Sequence, residues 1–169
     1  MMHSTTLVSL RKSLLRIRRE FRKLWWNYIY QSFLAAVVLL VLILMHTEDF
    51  VIIASIASTA YVVFAMPKYT TAQPKRVIGG HLIGLLSGSL AHIIPHEAFF
   101  TSAIVYSLTV GLSIFLMVAL DFEHPPAAGT ALGIAMNSFS TSIFLTVLVS
   151  CTALSLAHRL MRRFLKDLT

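Results

Sequence analysis

Long apolar stretches alternate with short polar ones along most of the chain. Five apolar segments cover about residues 27–45, 50–66, 77–94, 98–120 and 126–158. An α-helix rises about 1.5 Å per residue, so about 20 residues cross a hydrocarbon core of about 30 Å. The first and fourth segments reach that length, and the second and third are slightly short. The pattern predicts an all-α, multi-pass transmembrane bundle of about five segments.

The fifth segment is too long for a single crossing. Its 33 residues would form a helix of roughly 50 Å. Polar residues gather near its middle, at Asn137, Ser138, Ser140, Thr141 and Ser142. We therefore expect a break between Asn137 and Ser142, with a short half-helix over 126–136 before it and a longer span after it.

A different pattern precedes the first apolar segment. Apolar residues recur at steps of three and four from Leu7 to Leu24, while basic residues occupy the other faces. This spacing is typical of an amphipathic helix on anionic lipid headgroups, and a coiled-coil seam is the alternative. We expect residues 1–24 to form this basic surface helix, 25–160 the transmembrane domain and 161–169 a basic tail.

Composition and charge agree with a membrane protein. Hydrophobic residues make up 57% of the chain and charged residues only 12%, whereas soluble domains have about 25% charged residues. All 14 Lys and Arg lie within 11–23, 68–76 and 159–166, which flank the apolar segments and so argue against a nucleic-acid partner. The positive-inside rule places the first two groups inside. Five crossings would place the third group outside, so the side of the tail stays open.

Small and hydroxyl residues suggest how the helices pack. Gly80, Gly84 and Gly88 form a ladder in the third segment, which favours close helix packing over a ligand role. Hydroxyl side chains share a face in the second segment and in the fourth: Ser55, Ser58 and Thr59, then Ser102, Tyr106, Thr109 and Ser113. Such stripes line hydrated paths or bond to neighbouring backbone. His81 and His92 share one face of the third segment, where an ionisable group is either functional or structural.

The strongest local feature is the stretch 121–130, which reads DFEHPPAAGT. Proline is tolerated in the first turn of a helix, so Pro125 and Pro126 predict a helix start. Small residues follow, and we expect their N–H groups to be free to bind an anion at the positive end of the helix dipole. A second start at Pro74 carries Lys75 and Arg76. The alternative is that both prolines only begin helices and the basic side chains contact headgroups.

Two motifs carry a family resemblance. Residues 72–81, AQPKRVIGGH, and residues 124–129, HPPAAG, closely resemble the HPP family of small integral membrane proteins. The resemblance covers about residues 50–136. Plant chloroplast and cyanobacterial members are regarded as nitrite transporters, which implies passage of a small anion. The chain departs from the family pattern at Lys75-Arg76, where Arg-Asn is usual, and at 127–130, where Ala-Gly-Ala-Asn is usual.

These observations predict transport of a small inorganic anion, nitrite first, and a non-transporting scaffold or sensor subunit is the alternative. Lys75 and Arg76 would gather the anion, N–H groups at the helix start would hold it, and His81 and His124 would donate hydrogen bonds or a proton. The full predicted substrate site is His124, Pro125, Pro126, Ala127, Ala128, Gly129, His81, Lys75 and Arg76. We expect no enzymatic activity, metal or cofactor. We also predict that the protein forms a homo-oligomer and contacts anionic lipid headgroups. The predicted location is a bacterial inner membrane.

Overall fold

A computed structural model describes residues 2–46, 49–137 and 140–168. Within these ranges the chain is all-helical, which confirms the predicted fold class. A single 3-10 turn, Thr70–Ala72, lies between the second and third helices. The six α-helices are α1 (Met2–His46), α2 (Phe50–Ala65), α3 (Pro74–Ala91), α4 (Phe99–Ala119), α5 (Pro126–Met136) and α6 (Thr141–Met161).

The predicted surface helix and the first apolar segment form one continuous helix. α1 runs through 45 residues from Met2 to His46. The sequence contains no glycine or proline in this range, so no helix-breaking residue interrupts the helix. The boundary predicted at residue 24 is therefore not a helix end, and the basic stretch is the first part of α1.

The predicted break in the last apolar segment is confirmed. α5 ends at Met136 and α6 begins at Thr141. Asn137 has extended backbone angles, and its side-chain amide donates to the Gly133 carbonyl at 2.7 Å and also to Asp49. Ser138, which the prediction also included, lies outside the described residues.

Three described stretches are long and apolar enough to cross a membrane. They are Phe21–Val41 within α1, all of α4 and all of α6, while α2 and α5 are shorter apolar helices. α5 has only 11 residues, which rise roughly 16 Å. It is packed between α3 on one side and α2 on the other, so this short helix lies inside the bundle.

The glycine ladder of α3 lies against α5, as the packing interpretation predicted. A methyl group at Gly84 would lie 2.5 Å from the Ala127 carbonyl oxygen, and one at Gly88 would lie 2.7 Å from the Ala131 carbonyl oxygen. These separations leave no room for a side chain, so the two backbones touch. On the opposite face of α5, a methyl group at Gly133 would lie 2.6 Å from the Ile52 side chain of α2.

The C-terminal segment after α6 returns to the ends of α1 and α2. Gln31 of α1 donates to the carbonyls of Phe64 and Lys166, the latter at 2.8 Å, and accepts from the Lys166 N–H at 3.0 Å. The Leu168 N–H donates to the Ala65 carbonyl at 2.9 Å. We call this end of the bundle, where residues 64–76 and 158–168 lie, the basic end.

The described helices run between the two ends of the bundle six times, whereas the sequence predicted about five segments. Asp49, before α2, meets Asn137, after α5, at the end opposite the basic end. The helix α5 therefore counts as a separate passage, and α6 brings the chain back to the basic end. The basic residues of 68–76 and 159–166 lie at this one end, and those of 11–23 precede Gln31, the α1 residue that contacts it. With α5 and α6 counted as separate passages, residues 68–76 and 159–166 are at one end of the bundle, which agrees with the positive-inside rule.

We expect Gln31→Leu to release the C-terminal segment. The side chain is 1% exposed, and its loss leaves buried carbonyls without a donor, each at a cost of about 1–3 kcal/mol. Carboxypeptidase digestion in detergent should become faster than for the wild type, and the thermal unfolding midpoint should fall. Ser32→Ala, at the neighbouring exposed position, is the control and should change neither. Unchanged digestion of the Gln31 variant would contradict the prediction.

Candidate functional site

Five buried polar side chains meet where α2, α3 and the start of α5 converge. We call them the polar cluster, and none is more than 3% exposed: Ser55, Thr59, His81, His124 and Thr130. Buried polar groups in an apolar bundle are stable only when they bond to one another or to backbone. The cluster fulfils this condition through side-chain contacts between three separate parts of the chain.

The two imidazoles are joined through Thr59. Its hydroxyl oxygen lies 2.9 Å from Nε2 of His81 and 3.1 Å from Nε2 of His124. The two ring centroids are 5.2 Å apart. Nδ1 of His124 lies 2.8 Å from the Thr71 carbonyl oxygen, which can only accept, so Nδ1–H donates there.

The hydroxyls of α2 and α5 complete the cluster. The hydroxyl oxygen of Thr130 lies 2.8 Å from Nδ1 of His81 and 2.8 Å from the hydroxyl oxygen of Ser55. Ser55 donates to the Pro126 carbonyl at 2.7 Å, and Thr59 donates to the Ser55 carbonyl at 3.0 Å. Because Ser55 and Thr59 are four residues apart on one helix, they point to the same side.

Local sequence explains why the imidazoles approach so closely. A methyl group at Gly80 would lie 2.7 Å from Cβ of His124, so only glycine lets the stretch before α5 sink against α3 at this point. His81 follows Gly80 directly. Burial holds the pKa of His124 below its usual value, and the bond to the Thr71 carbonyl opposes that shift only in part. The His124 ring is therefore neutral at neutral pH.

The basic residues predicted to gather an anion are held in ion pairs. Arg76 bonds to Asp121 and to Glu123, and Nζ of Lys75 lies 3.5 Å from the Asp121 carboxylate. Lys75 also lies 5.0 Å above the Phe122 ring. Two positive and two negative groups give this ion-pair group a formal charge of zero. Only 16% of the Arg76 side chain is exposed, against 62% for Lys75.

The N–H groups at the start of α5 are less free than the sequence suggested. The Ala127 N–H donates to the His124 carbonyl at 2.9 Å, and the Ala128 N–H donates to the Pro125 carbonyl at 3.1 Å. The expectation of free donors at Ala127 and Ala128 is therefore wrong, because the two prolines tighten this turn so that its own carbonyls accept. Gly129 faces α2, where an added methyl group would lie 3.2 Å from Cβ of Ser55.

The structure brings together only part of the predicted site. His81 and His124 are in contact through Thr59, whereas Lys75 and Arg76 lie at the surface of the basic end. His92 does not join His81, because its Nε2 lies 2.9 Å from the Ile134 carbonyl near the opposite end. Two buried hydroxyls of the α4 stripe, Thr109 and Ser113, stay outside the cluster.

The sequence interpretation left five important partners out of the site. Ser55 and Thr59 appeared only as a stripe, and Thr130 and the two carboxylates, Asp121 and Glu123, only as part of the 121–130 motif. A usable signal existed, since α3 and α4 form a hairpin that brings two bases and two acids to the same end. Among the described residues, no group of three or more His, Cys, Asp or Glu side chains is arranged to hold a metal ion.

Known proteins place the chain in a family. The sequence profile of the HPP transmembrane region matches residues 17–167. A transmembrane protein of Dictyostelium discoideum is 34% identical over 100 residues, which are 56% of this chain and 35% of that protein. A second transmembrane protein of the same organism is 26% identical over 125 residues, which are 72% of this chain and 40% of that protein.

The two curated matches cover only part of each relative, whereas the family profile covers most of this chain. The chain spans about a third to two fifths of the length of the two curated relatives. No solved structure matches the chain. The profile, by contrast, runs from the first part of α1 to the C-terminal segment and includes both sequence motifs. The chain is an integral membrane protein that belongs to the HPP transmembrane family.

Proposed function

We propose that the protein moves a small inorganic anion across the membrane, with nitrite as the first candidate. The observation that carries this proposal is the polar cluster, a closed set of hydrogen-bonding groups inside an apolar bundle. Polar and ionisable groups at membrane depth are costly and usually mark a solute path. Two of its five residues, His81 and His124, belong to the two motifs that resemble the HPP family.

Neutral donors would hold the anion in this proposal. The hydroxyls of Thr59 and Thr130 and the imidazoles of His81 and His124 are donors of the cluster that would turn a proton towards the ligand. The start of α5, Pro125–Gly129, forms the adjoining wall and contributes its helix dipole rather than free N–H groups. The exposed Lys75 would attract the anion to the basic end, whereas Arg76 mainly holds Asp121 and Glu123.

A cleft at the opposite end supplies the second opening of the proposed path. Its volume is about 620 Å³. It lies over the C-terminal end of α5, and α5 leads from there to Thr130. The polar residues lining this cleft are His92, His96, Glu97, Ser102, Tyr106 and Asn137.

The surroundings of the protein follow from its charges and its apolar surface. We propose that the basic end faces the cytoplasm, where anionic headgroups attract the basic part of α1. Large apolar side chains of α4 such as Leu108 and Phe115 are 66% exposed, and we propose that they contact lipid or a second copy in a homo-oligomer. A bacterial inner membrane stays a prediction, since both curated relatives come from a eukaryote.

Nitrite uptake by vesicles tests this function. Thr130→Val removes the hydroxyl between His81 and Ser55 while keeping the side-chain shape, and we expect uptake to fall about tenfold, as for one lost hydrogen bond of about 1.4 kcal/mol. The matched control is Thr146→Val on α6, because Thr146 is also buried but its hydroxyl has no hydrogen-bond partner. The control should transport like the wild type.

The same assay decides between transport and the scaffold alternative. Purified protein in vesicles is compared with protein-free vesicles, and nitrate, formate and chloride are added as competitors. Equal nitrite uptake with and without protein would exclude nitrite as the substrate. If no anion is taken up or competes, the scaffold or sensor alternative replaces transport.

A further inference from the structure

The polar cluster contains fewer protons than its contacts require. Three of its contacts end on backbone carbonyls, which only accept, and these take the protons of Ser55, Thr59 and Nδ1 of His124. Neutral His81 and Thr130 supply two further protons. Four contacts remain: His124 with Thr59, Thr59 with His81, His81 with Thr130, and Thr130 with Ser55. Two protons therefore serve four contacts of 2.8–3.1 Å.

The contact between Nε2 of His124 and the Thr59 hydroxyl shows the deficit most directly. With its proton on Nδ1, neutral His124 presents a lone pair at Nε2. Thr59 has a single proton, and both the Ser55 carbonyl and Nε2 require it. Whichever way the hydroxyl rotates, one close contact joins two acceptors. A second proton on His124 corrects this contact, because Nε2–H then donates to Thr59 while Thr59 still donates to the Ser55 carbonyl. Three protons then serve the four contacts.

We propose that the cluster is a binding site for one proton, held on His124 at Nε2, and that this proton is bound and moved together with the anion. The stoichiometry is one proton for one monovalent anion, so no net charge crosses the membrane. The coupling to the anion rests on the proposed function, whereas the proton site rests only on the geometry of the cluster. Two protons are excluded, since two cationic rings would face each other at 5.2 Å in a buried site.

The groups around the cluster leave the charge of this proton uncompensated. α2, the 3-10 turn and α5 place no charged side chain against it. At the start of α3 and before α5, Arg76 is already neutralised by Asp121 and Glu123. On the buried face of α6 the titratable groups bond elsewhere: the Cys151 thiol donates to the Leu148 carbonyl, and Nε2 of His158 lies against the Pro67 carbonyl. The buried face of α4 consists of Val105, Thr109, Ser113 and Met117 and has no titratable group.

This isolation makes the proton and the anion depend on each other. A lone imidazolium in the cluster is disfavoured by burial, and a lone anion there is disfavoured for the same reason. An anion beside His124 compensates the second proton, and the second proton supplies both a donor and a positive charge to the anion. By linkage, each ligand must raise the affinity for the other by the same factor.

The first experiment measures the proton without transport. The full chain, with 15N-labelled histidine, is placed in lipid nanodiscs, and imidazole 15N spectra are recorded between about pH 8 and 5, with and without sodium nitrite. We expect one cluster ring to become doubly protonated at higher pH with nitrite than without it. His124→Gln should remove this response. The control is His158→Gln, since His158 is 1% exposed but lies outside the cluster, and it should keep the response.

A second variant keeps both imidazoles and tests the same site. Thr59→Val removes the hydroxyl that links the rings, so the doubly protonated form loses its acceptor and the nitrite-dependent shift should shrink. A response that persists unchanged in His124→Gln or in Thr59→Val overturns the proton site. A wild-type spectrum in which no cluster ring responds to nitrite also overturns the proposed coupling.

The second experiment measures charge movement in vesicles. With the membrane potential clamped by potassium and valinomycin, nitrite uptake should acidify the lumen by one proton per nitrite and should follow the pH gradient. Protein-free vesicles correct for undissociated nitrous acid that crosses lipid unaided. Uptake that follows the potential without acidification overturns the coupling but leaves anion transport intact. A nitrite-dependent 15N response without any uptake supports the proton site and overturns the proposed function.

Discussion

Gly84→Leu is expected to prevent the protein from assembling. The leucine Cβ alone would lie 2.5 Å from the Ala127 carbonyl oxygen and 3.2 Å from Cβ of Thr130. A backbone carbonyl cannot turn away as a flexible side chain can, so α3 and α5 must separate. We expect a loss of about 3 kcal/mol or more, seen as low yield of folded protein in detergent.

Gly111→Leu is the matched control for this substitution. Gly111 is a glycine in the middle of α4, and a methyl group there would have nothing within 4 Å. The same change of residue type at this position should leave the yield and the thermal midpoint close to the wild type. If Gly84→Leu purifies with wild-type stability, α3 and α5 do not pack as described.

Arg76→Gln is also expected to destabilise the protein. The Arg76 side chain is 16% exposed, and its guanidinium bonds to the carboxylates of Asp121 and Glu123, whose side chains are 65% and 40% exposed. Removing one partner of a buried pair costs about 3–5 kcal/mol, while fully exposed pairs contribute at most about 1 kcal/mol. The partly exposed carboxylates place the expected loss at about 1–2 kcal/mol. The thermal midpoint should fall by about 2–8 °C.

Two further variants test the cause of this loss. Lys75→Gln removes the neighbouring charge, but the Lys75 side chain is 62% exposed, so its midpoint should change little. Arg76→Gln combined with Glu123→Gln removes a charge of each sign and should recover part of the stability. Equal destabilisation by Lys75→Gln and Arg76→Gln would show that net charge, rather than the Arg76 ion pairs, sets the stability.

Elements that depend on the spacing or type of neighbouring residues could be predicted from the sequence. Apolar length gave the helical class, the polar residues after Met136 gave the break, and the spacing of Gly80, Gly84 and Gly88 gave a helix contact. Each of these depends on residues that are close in sequence. The continuous α1 was missed because a change in polarity was interpreted as a change in structure, although no helix-breaking residue is present.

The site was predicted less well because it depends on contacts between distant residues. His81 and Thr59 are 22 residues apart, and Ser55 and Thr130 are 75 apart. A stripe of hydroxyls on α2 does not reveal which helix covers it. The pairing of Arg76 with Asp121, 45 residues away, likewise requires the α3–α4 hairpin. Charges that look available along the sequence were therefore already occupied in the fold.

The short length of α5 has a consequence for biogenesis. Its 11 residues cover about half of a hydrocarbon core of about 30 Å, so the polypeptide groups at its ends cannot be left facing acyl chains. During synthesis, α5 cannot partition into lipid from the translocon as an independent segment. It must enter a groove already formed by α2 and α3, and the order of the chain provides this because both helices emerge from the ribosome before it.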